Sequence, residues 1–228
     1  MNKYKHNINY FKRGDSFKTI GLGVTIVGLI VLYFGWSYIS YVLSIIAIPV
    51  GLALFFIGST GHSSDEDIDA DIKSITTGLE VNLAEDKQYA KRILKHIEPK
   101  ICEGYEYKDG LYFIKAKNGT IRSSEYTKAI IYVLSDELYI VKRNFSLVSD
   151  NVINQTFEIP YSDIISVEII RETKSVECKK KKFNVNFAYI KVEYTEGQIF
   201  YAPIHDDVDS DKFIETINDV MKTADNSN

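Results

Sequence analysis

The stretch from Thr19 to Gly58 contains no Lys, Arg, His, Asp or Glu. A bilayer core about 30 Å thick needs roughly 20 apolar residues of helix to cross it. The stretch is long enough for two such helices, with a short break at residues 35–38. We therefore expect a two-helix transmembrane hairpin over residues 19–58. The alternative is a cleaved signal peptide, but the apolar run is too long and no small-x-small cleavage site precedes a soluble stretch.

The flanks of this hairpin indicate its orientation. Residues 1–18 carry five Lys or Arg and one Asp, and basic residues next to a span stay in the cytoplasm. We therefore expect a basic cytoplasmic N-terminus over 1–18. Two spans then return the chain to the cytoplasm. An acidic helical spacer (59–100), a folded domain (101–223) and a disordered tail (224–228) would follow, giving a multi-pass cell-membrane protein with both termini cytoplasmic.

Small residues recur on one face of each expected span. Gly21 and Gly28 are seven residues apart in the first span, and Ala47 and Gly51 are four apart in the second. Small residues on one face let helices approach closely in lipid. We interpret these four residues as the contact between the two spans, with homo-oligomer formation as the alternative. The spans hold no ionisable residue, which argues against a transporter.

The segment after the hairpin begins with acidic residues. A calcium-binding loop starting at Asp65 would need Gly at position six and Glu at position twelve. These positions are Ala70 and Thr76, so we predict no metal site and interpret the segment as the acidic first turn of a helix. Apolar residues at helical spacing predict a second helix over residues 84–98.

Seven short runs rich in Ile, Val, Tyr and Phe follow Gly110, separated by turn residues. The runs are residues 111–117, 129–134, 137–143, 155–159, 164–170, 186–195 and 198–204. A helix is predicted over Asp209–Lys222, with Asp209 or Ser210 as its N-cap. We therefore expect an α+β or all-β domain, a barrel or sandwich whose open end is closed by the helix.

One part of this domain resembles a known family. In the segment Tyr132–Ile169, a Ser135-Asp136 turn joins two strands, and the step Ile159–Val167 leads into the next strand. This pattern resembles that of bacterial pleckstrin-homology-like (PH-like) domains over roughly residues 110–223, and the hairpin suits the subset with two spans. The resemblance implies a seven-stranded barrel closed by a C-terminal helix, with a scaffold or assembly role.

The strongest charge cluster lies between two predicted strands, in the segment Glu172–Phe183. We interpret it as a hairpin tip that contacts anionic lipid or a protein partner, since each basic residue near an anionic surface contributes about 1 kcal/mol. The alternative is a solvated loop that protects a strand edge from aggregation. The candidate residues are Arg171, Lys174, Lys179, Lys180, Lys181 and Lys182.

Signatures of catalysis are absent from the sequence. It contains no GxSxG, P-loop or HExxH motif, and we interpret His205-Asp206-Asp207 as helix-capping chemistry. We therefore predict no enzyme, no catalytic residue and no cofactor. The net charge of −4 argues against nucleic-acid binding. Cys102 and Cys178 cannot form a disulfide framework, which fits a reducing cytoplasm.

Two functions from different classes remain open. The first is a membrane-anchored, non-enzymatic PH-like module that recruits or scaffolds a protein partner at the cytoplasmic membrane face, with anionic phospholipid as a further contact. The second is a membrane-active effector or immunity factor that acts through its hairpin. The small-residue faces of the spans would be essential to the second, and homo-oligomers fit either function.

Overall fold

The computed structural model describes residues 3–13, 16–35, 37–60, 63–80, 83, 85–178 and 181–225. The N-terminal part is helical. Its helices are α1 (Lys3–Arg13), α2 (Ser16–Phe34), α3 (Tyr38–Thr60) and α4 (Asp65–Thr76).

The C-terminal part is built from antiparallel strands and one helix. The elements are β1 (Lys100–Tyr105), β2 (Phe113–Lys115), β3 (Ile121–Ser123), β4 (Glu125–Val133), β5 (Glu137–Ser146), β6 (Val152–Pro160), β7 (Ile164–Cys178), β8 (Lys181–Tyr194), β9 (Gln198–Ile204) and α5 (Val208–Asp225). They form a four-stranded sheet in the order β1-β4-β5-β6, a two-stranded sheet β2-β3 and a three-stranded sheet in the order β7-β8-β9.

The main core joins the two larger sheets to α5. Every second residue of a strand points to the same face, and in β4 and β8 these alternate residues are buried. They are Ala129, Ile131 and Val133 of β4, and Ala188, Ile190 and Val192 of β8. The helix α5 adds Phe213, Ile214 and Ile217 to the same cluster. The expected mixture of helices and antiparallel sheets is therefore confirmed, as is the apolar face of the C-terminal helix.

The expected set of strands needs two corrections. Each of the seven predicted runs contains a strand, but the run 111–117 belongs to the small β2-β3 sheet. The first position in the four-stranded sheet is taken by β1, which the sequence did not reveal. Of the residues in β1, only Cys102 is fully buried, so no alternation of apolar and polar residues marks this strand. The strand β3 is only three residues long.

The predicted helix over residues 84–98 is wrong, because the described residues 85–98 form turns. Its apolar spacing has another cause. Tyr89 and Ile93 pack on one buried cluster, whereas Leu94 and Ile97 pack on the main core. Ile93 also forms a β-bridge with Leu134, so this segment is a strap between two clusters rather than a helix with one buried face.

The helices α4 and α5 are each capped at the N-terminus by a side chain. Ser64 Oγ accepts a hydrogen bond from Asp67 N–H at 3.1 Å, and Asp67 Oδ2 accepts one from Ser64 N–H at 2.8 Å. This capping box confirms the acidic first turn of α4. The N-cap of α5 is Asp207 rather than Asp209 or Ser210, since Asp207 Oδ1 accepts from Ser210 N–H at 2.8 Å.

The predicted tail needs a further correction. Residues 224 and 225 belong to α5, so the helix continues past the expected end of the domain at 223. The remaining tail residues, 226–228, lie outside the described part of the chain.

Candidate membrane-facing site

Helices α2 and α3 pack against each other through their small residues. A Cβ added to Gly21 would lie 2.7 Å from Gly51 O, and one added to Gly51 would lie 2.6 Å from Thr25 N. A Cβ on Gly28 would lie 3.3 Å from Ala47 Cβ. Carbon atoms normally approach to about 3.5–4.0 Å, so a side chain at Gly21 or Gly51 would collide with backbone atoms of the other helix. Gly21, Gly28, Ala47 and Gly51 therefore lie where α2 and α3 meet.

The outer surfaces of the two helices are apolar and exposed. Fifteen large side chains on them are 47–69% exposed: Ile20, Leu22, Ile26, Val27, Leu29, Ile30, Phe34, Ile39, Tyr41, Leu43, Ile45, Ile46, Val50, Phe56 and Ile57. Exposed apolar patches of this extent mark interaction with a membrane or another protein.

Only one of the described helices is long and apolar enough to cross a membrane by itself. It is the stretch Tyr38–Gly58 of α3, of which 17% is buried. That low burial distinguishes it from the core helix of a soluble domain. The apolar stretch of α2, Lys18–Phe34, is shorter. The two-span hairpin therefore stays a prediction.

The helices before and after this pair pack together on the β domain. Tyr10 and Phe11 of α1 are 4% and 3% exposed, and they share a buried cluster with Ile68 of α4. Ile114 of β2, Phe145 of β5 and the adjacent Leu147 complete this cluster, which we call the flanking cluster. It brings the chain entering α2 and the chain leaving α3 to one surface.

Polar contacts reinforce the flanking cluster around Asn7, which is 1% exposed. Its Nδ2 donates to Asp71 Oδ2 and to Leu147 O, both at 2.8 Å. Ser63 Oγ donates to Asn7 Oδ1 at 2.5 Å, and Lys3 Nζ lies 2.9 Å from Asp71 Oδ1. These contacts satisfy a buried amide that would otherwise destabilise the fold.

The acidic face of α4 holds the β2-β3 sheet. Arg122 of β3 forms a two-pronged ion pair with Asp69, at 2.8 and 3.1 Å, and also donates to Asp65 O at 3.1 Å. Burial acts to raise the pKa of Asp65, but hydrogen bonds from Tyr10 Oη and Lys117 N–H hold it below its ordinary value. The sequence showed these acidic residues but not their partners.

The lysine-rich segment lies at the far end of the β7-β8 hairpin. Cys178 pairs with Lys181 at the ends of the two described strands. Lys179 and Lys180 lie outside the described residues, whereas Lys181 and Lys182 are exposed. Most of the expected loop is therefore strand, and the tip itself is shorter than predicted.

The other two candidate residues belong to different contacts. Arg171 donates to Asp211 at 2.8 and 3.0 Å and to Asp206 at 2.8 Å, and these hydrogen bonds raise its pKa. Lys174 Nζ lies 2.9 Å from Asp109 Oδ1. Seven residue steps along β7, roughly 23 Å at 3.3 Å each, separate Arg171 from Cys178. Among the described candidates, Arg171 therefore does not share a surface with Lys181 and Lys182.

The β2-β3 sheet connects the lysine-rich tip to the helix that precedes α2. Lys12 Nζ of α1 lies 5.0 Å from the centre of the Tyr112 ring. The next residue, Phe113, packs in a cluster with Cys178 and Phe183, which flank the tip. The described ends of β7 and β8 therefore lie on the side of the domain where the chain enters α2.

Comparison of the chain with protein-family models, with curated proteins and with solved structures finds no match. The PH-like resemblance stays a prediction. Within the described ranges, no group of three or more His, Cys, Asp or Glu side chains is arranged to hold a metal ion. The small-residue helix contact, the flanking cluster and the lysine-rich tip are thus the features on which a functional proposal rests.

Proposed function

We propose that the chain is a membrane-anchored, non-enzymatic binding module, with α2 and α3 as a two-span hairpin and a cytoplasmic PH-like domain. The sheet order supports the PH-like assignment. The four-stranded and three-stranded sheets together supply seven strands, and α5 follows the last of them. In this assignment, β2-β3 is an insertion between the first two strands of the four-stranded sheet.

The flanking cluster is the observation that carries the membrane topology. It contains Tyr10 from before the helix pair and Ile68 from after it. Two segments in buried contact lie on the same side of a membrane, so the chain between them crosses an even number of times. An apolar pair of helices without a charged residue inside it fits two crossings.

The basic flank and the lysine-rich tip support a cytoplasmic orientation. Lys3, Lys5 and Lys12 lie in α1, and basic residues next to a span stay on the cytoplasmic side. The lysine-rich tip then faces the leaflet that holds anionic lipids. Because the domain is tethered, its effective concentration at the membrane surface is high, so even weak contacts with lipid are occupied. The module would hold its protein partner at this surface.

The competing function, an effector that acts through its hairpin, has less support. It requires the small-residue faces to meet another membrane component. Gly21 and Gly51 instead face the neighbouring helix of the same chain, where an added Cβ would collide with backbone atoms. An anchor needs only the exposed apolar surface that these helices present.

Replacing Lys179–Lys182 with serine is expected to release the tip from anionic membranes. Each lysine contributes about 1 kcal/mol to binding at such a surface. The protection of the tip amides against hydrogen exchange should therefore fall at least about tenfold. The measurement is amide hydrogen exchange over residues 176–183 of the full chain in nanodiscs, with and without anionic lipid. The protection of the wild type should also decrease at high salt, because salt screens exposed charges.

A matched control removes similar charge elsewhere. Lys87, Lys91 and Lys95 are exposed on the strap, and changing them to serine should leave exchange at the tip unchanged. Protection that is the same in anionic and neutral nanodiscs, or that survives the tip substitutions, would rule out lipid contact by this tip.

A further inference from the structure

A cleft of about 490 Å³ lies beside the segment that follows β1. Its volume is within the range of roughly 300–1,000 Å³ that small-molecule sites occupy. Six of its fourteen lining residues are aromatic and five are charged. The lining residues used below are Glu106, Lys142, Phe157, Phe187, Tyr189 and Tyr201.

A buried carboxylate forms one polar wall of the cleft. Glu106 is 4% exposed, and Thr127 Oγ1 donates to its Oε1 at 2.5 Å. Asn144 Nδ2 in turn donates to Thr127 Oγ1 at 2.8 Å. Among the described residues, the other carboxylate oxygen, Oε2, has two long contacts, with Tyr189 Oη at 3.3 Å and Lys108 Nζ at 3.4 Å. This oxygen keeps the capacity to accept a stronger hydrogen bond.

An ammonium group forms a second polar wall. Lys142 Nζ donates to Tyr201 O at 2.8 Å and lies 5.3 Å from the centre of the Phe200 ring. An ammonium has three N–H donors, and among the described residues this carbonyl is the one acceptor that it reaches. Burial lowers the pKa of Lys142, and the nearby Glu106 carboxylate opposes that shift. Glu172, Lys108 and Lys174 also line the cleft. Lys108 lies 3.4 Å from Glu106 and Lys174 is paired with Asp109, so Lys142 is the lining lysine without a carboxylate partner among the described residues. The cleft thus presents charged groups of both signs beside aromatic rings.

We propose that this cleft binds a small aromatic zwitterion of the amino-acid class. The carboxylate of the ligand would bind Lys142, its ammonium would bind Glu106 Oε2, and its ring would pack against Phe157, Phe187 and Tyr189. Charge complementarity favours a zwitterion, since a simple anion would be repelled by Glu106 and a simple cation by Lys142. Aromatic faces also attract an ammonium group. The site is independent of the membrane proposal.

The probe is L-phenylalanine, titrated onto the full chain in neutral-lipid nanodiscs and followed by saturation-transfer NMR. We expect saturable binding. Glycine, which lacks the ring, phenylacetate, which lacks the ammonium, and phenethylamine, which lacks the carboxylate, should each bind at least about tenfold more weakly, because each loses one of the three contacts.

Variants at the cleft separate recognition from folding. Lys142→Met should weaken L-phenylalanine binding at least about tenfold, and Lys142→Arg should largely restore it. Gln155 is exposed and pairs across the strands with Lys142, so Gln155→Glu should weaken binding without disturbing the core. Lys212→Met, on the exposed surface of α5, is the control. Absence of saturable binding, or binding unaffected by both Lys142→Met and Gln155→Glu, would overturn the proposal.

Discussion

Replacing Gly21 with leucine is expected to separate α2 from α3 and to reduce sharply the amount of protein in membranes. A Cβ at this position would lie 2.7 Å from Gly51 O and 2.8 Å from Phe55 Cα. Both are backbone atoms, so the clash can be relieved only by moving one helix away from the other. Overpacking a tight contact destabilises a fold by about 1–3 kcal/mol. Because leucine adds a whole side chain, we expect Gly21→Leu to lie at the upper end of this range.

The matched control is Gly23→Leu on the same helix. A Cβ at Gly23 has no atom within 4 Å, so leucine there would extend into open space. Both substitutions gain the same helix propensity, about 1 kcal/mol. The measurement compares the level of each variant in the membrane fraction and its melting temperature in detergent. Equal behaviour of the two variants would contradict the observed packing of α2 on α3.

Replacing Asp69 with alanine is expected to lower the free energy of unfolding by about 3 kcal/mol. The Arg122 side chain is 6% exposed, and its Nε is buried without a hydrogen-bond partner among the described residues. Removing the carboxylate would leave a buried guanidinium uncompensated, which is among the most destabilising single changes. Arg122→Met should cost less, about 1 kcal/mol, because the Asp69 side chain is 57% exposed and water can solvate it.

Chemical denaturation in detergent, followed by far-UV circular dichroism, measures this difference. The double variant Asp69→Ala/Arg122→Met should be more stable than Asp69→Ala alone, since it removes the unpaired charge. Asp209→Ala is the control, because Asp209 is in an exposed i,i+3 pair with Lys212 and should change stability by less than about 0.5 kcal/mol. A larger loss for Arg122→Met than for Asp69→Ala would show that the burial of Arg122 is not the deciding factor.

The features predicted correctly from the sequence are those with a local cause. The helix α5 carries its apolar residues at helical spacing, and its buried Phe213, Ile214 and Ile217 follow directly from that spacing. The contact between α2 and α3 was readable because Gly21 and Gly51 stand out in an apolar run. The acidic first turn of α4 likewise depends on neighbouring residues alone.

The features that sequence reasoning missed depend on distant partners. Arg171 was grouped with the lysine-rich tip, but it binds Asp211, 40 residues further along the chain. The strap was predicted to be a helix because its apolar residues fall at helical spacing. In the structure, Ile93 and Leu94 instead pack on two different clusters. The acidic spacer holds the β2-β3 sheet through the ion pair of Asp69 with Arg122, and these two residues are 53 positions apart in the sequence. The four-residue spacing of Asp65 and Asp69 on one helix face was the one local signal of that contact.

The placement of α1 and α5 on the same side of the membrane is the central claim, and labelling of single cysteines tests it directly. Lys5→Cys, Lys212→Cys and Ser37→Cys each introduce a thiol at an exposed position, whereas Cys102 and Cys178 are buried. With a membrane-impermeant maleimide on intact cells, we expect label at position 37 alone, and label at positions 5 and 212 only after the membrane is opened. Labelling of positions 5 and 212 from opposite sides would contradict the account.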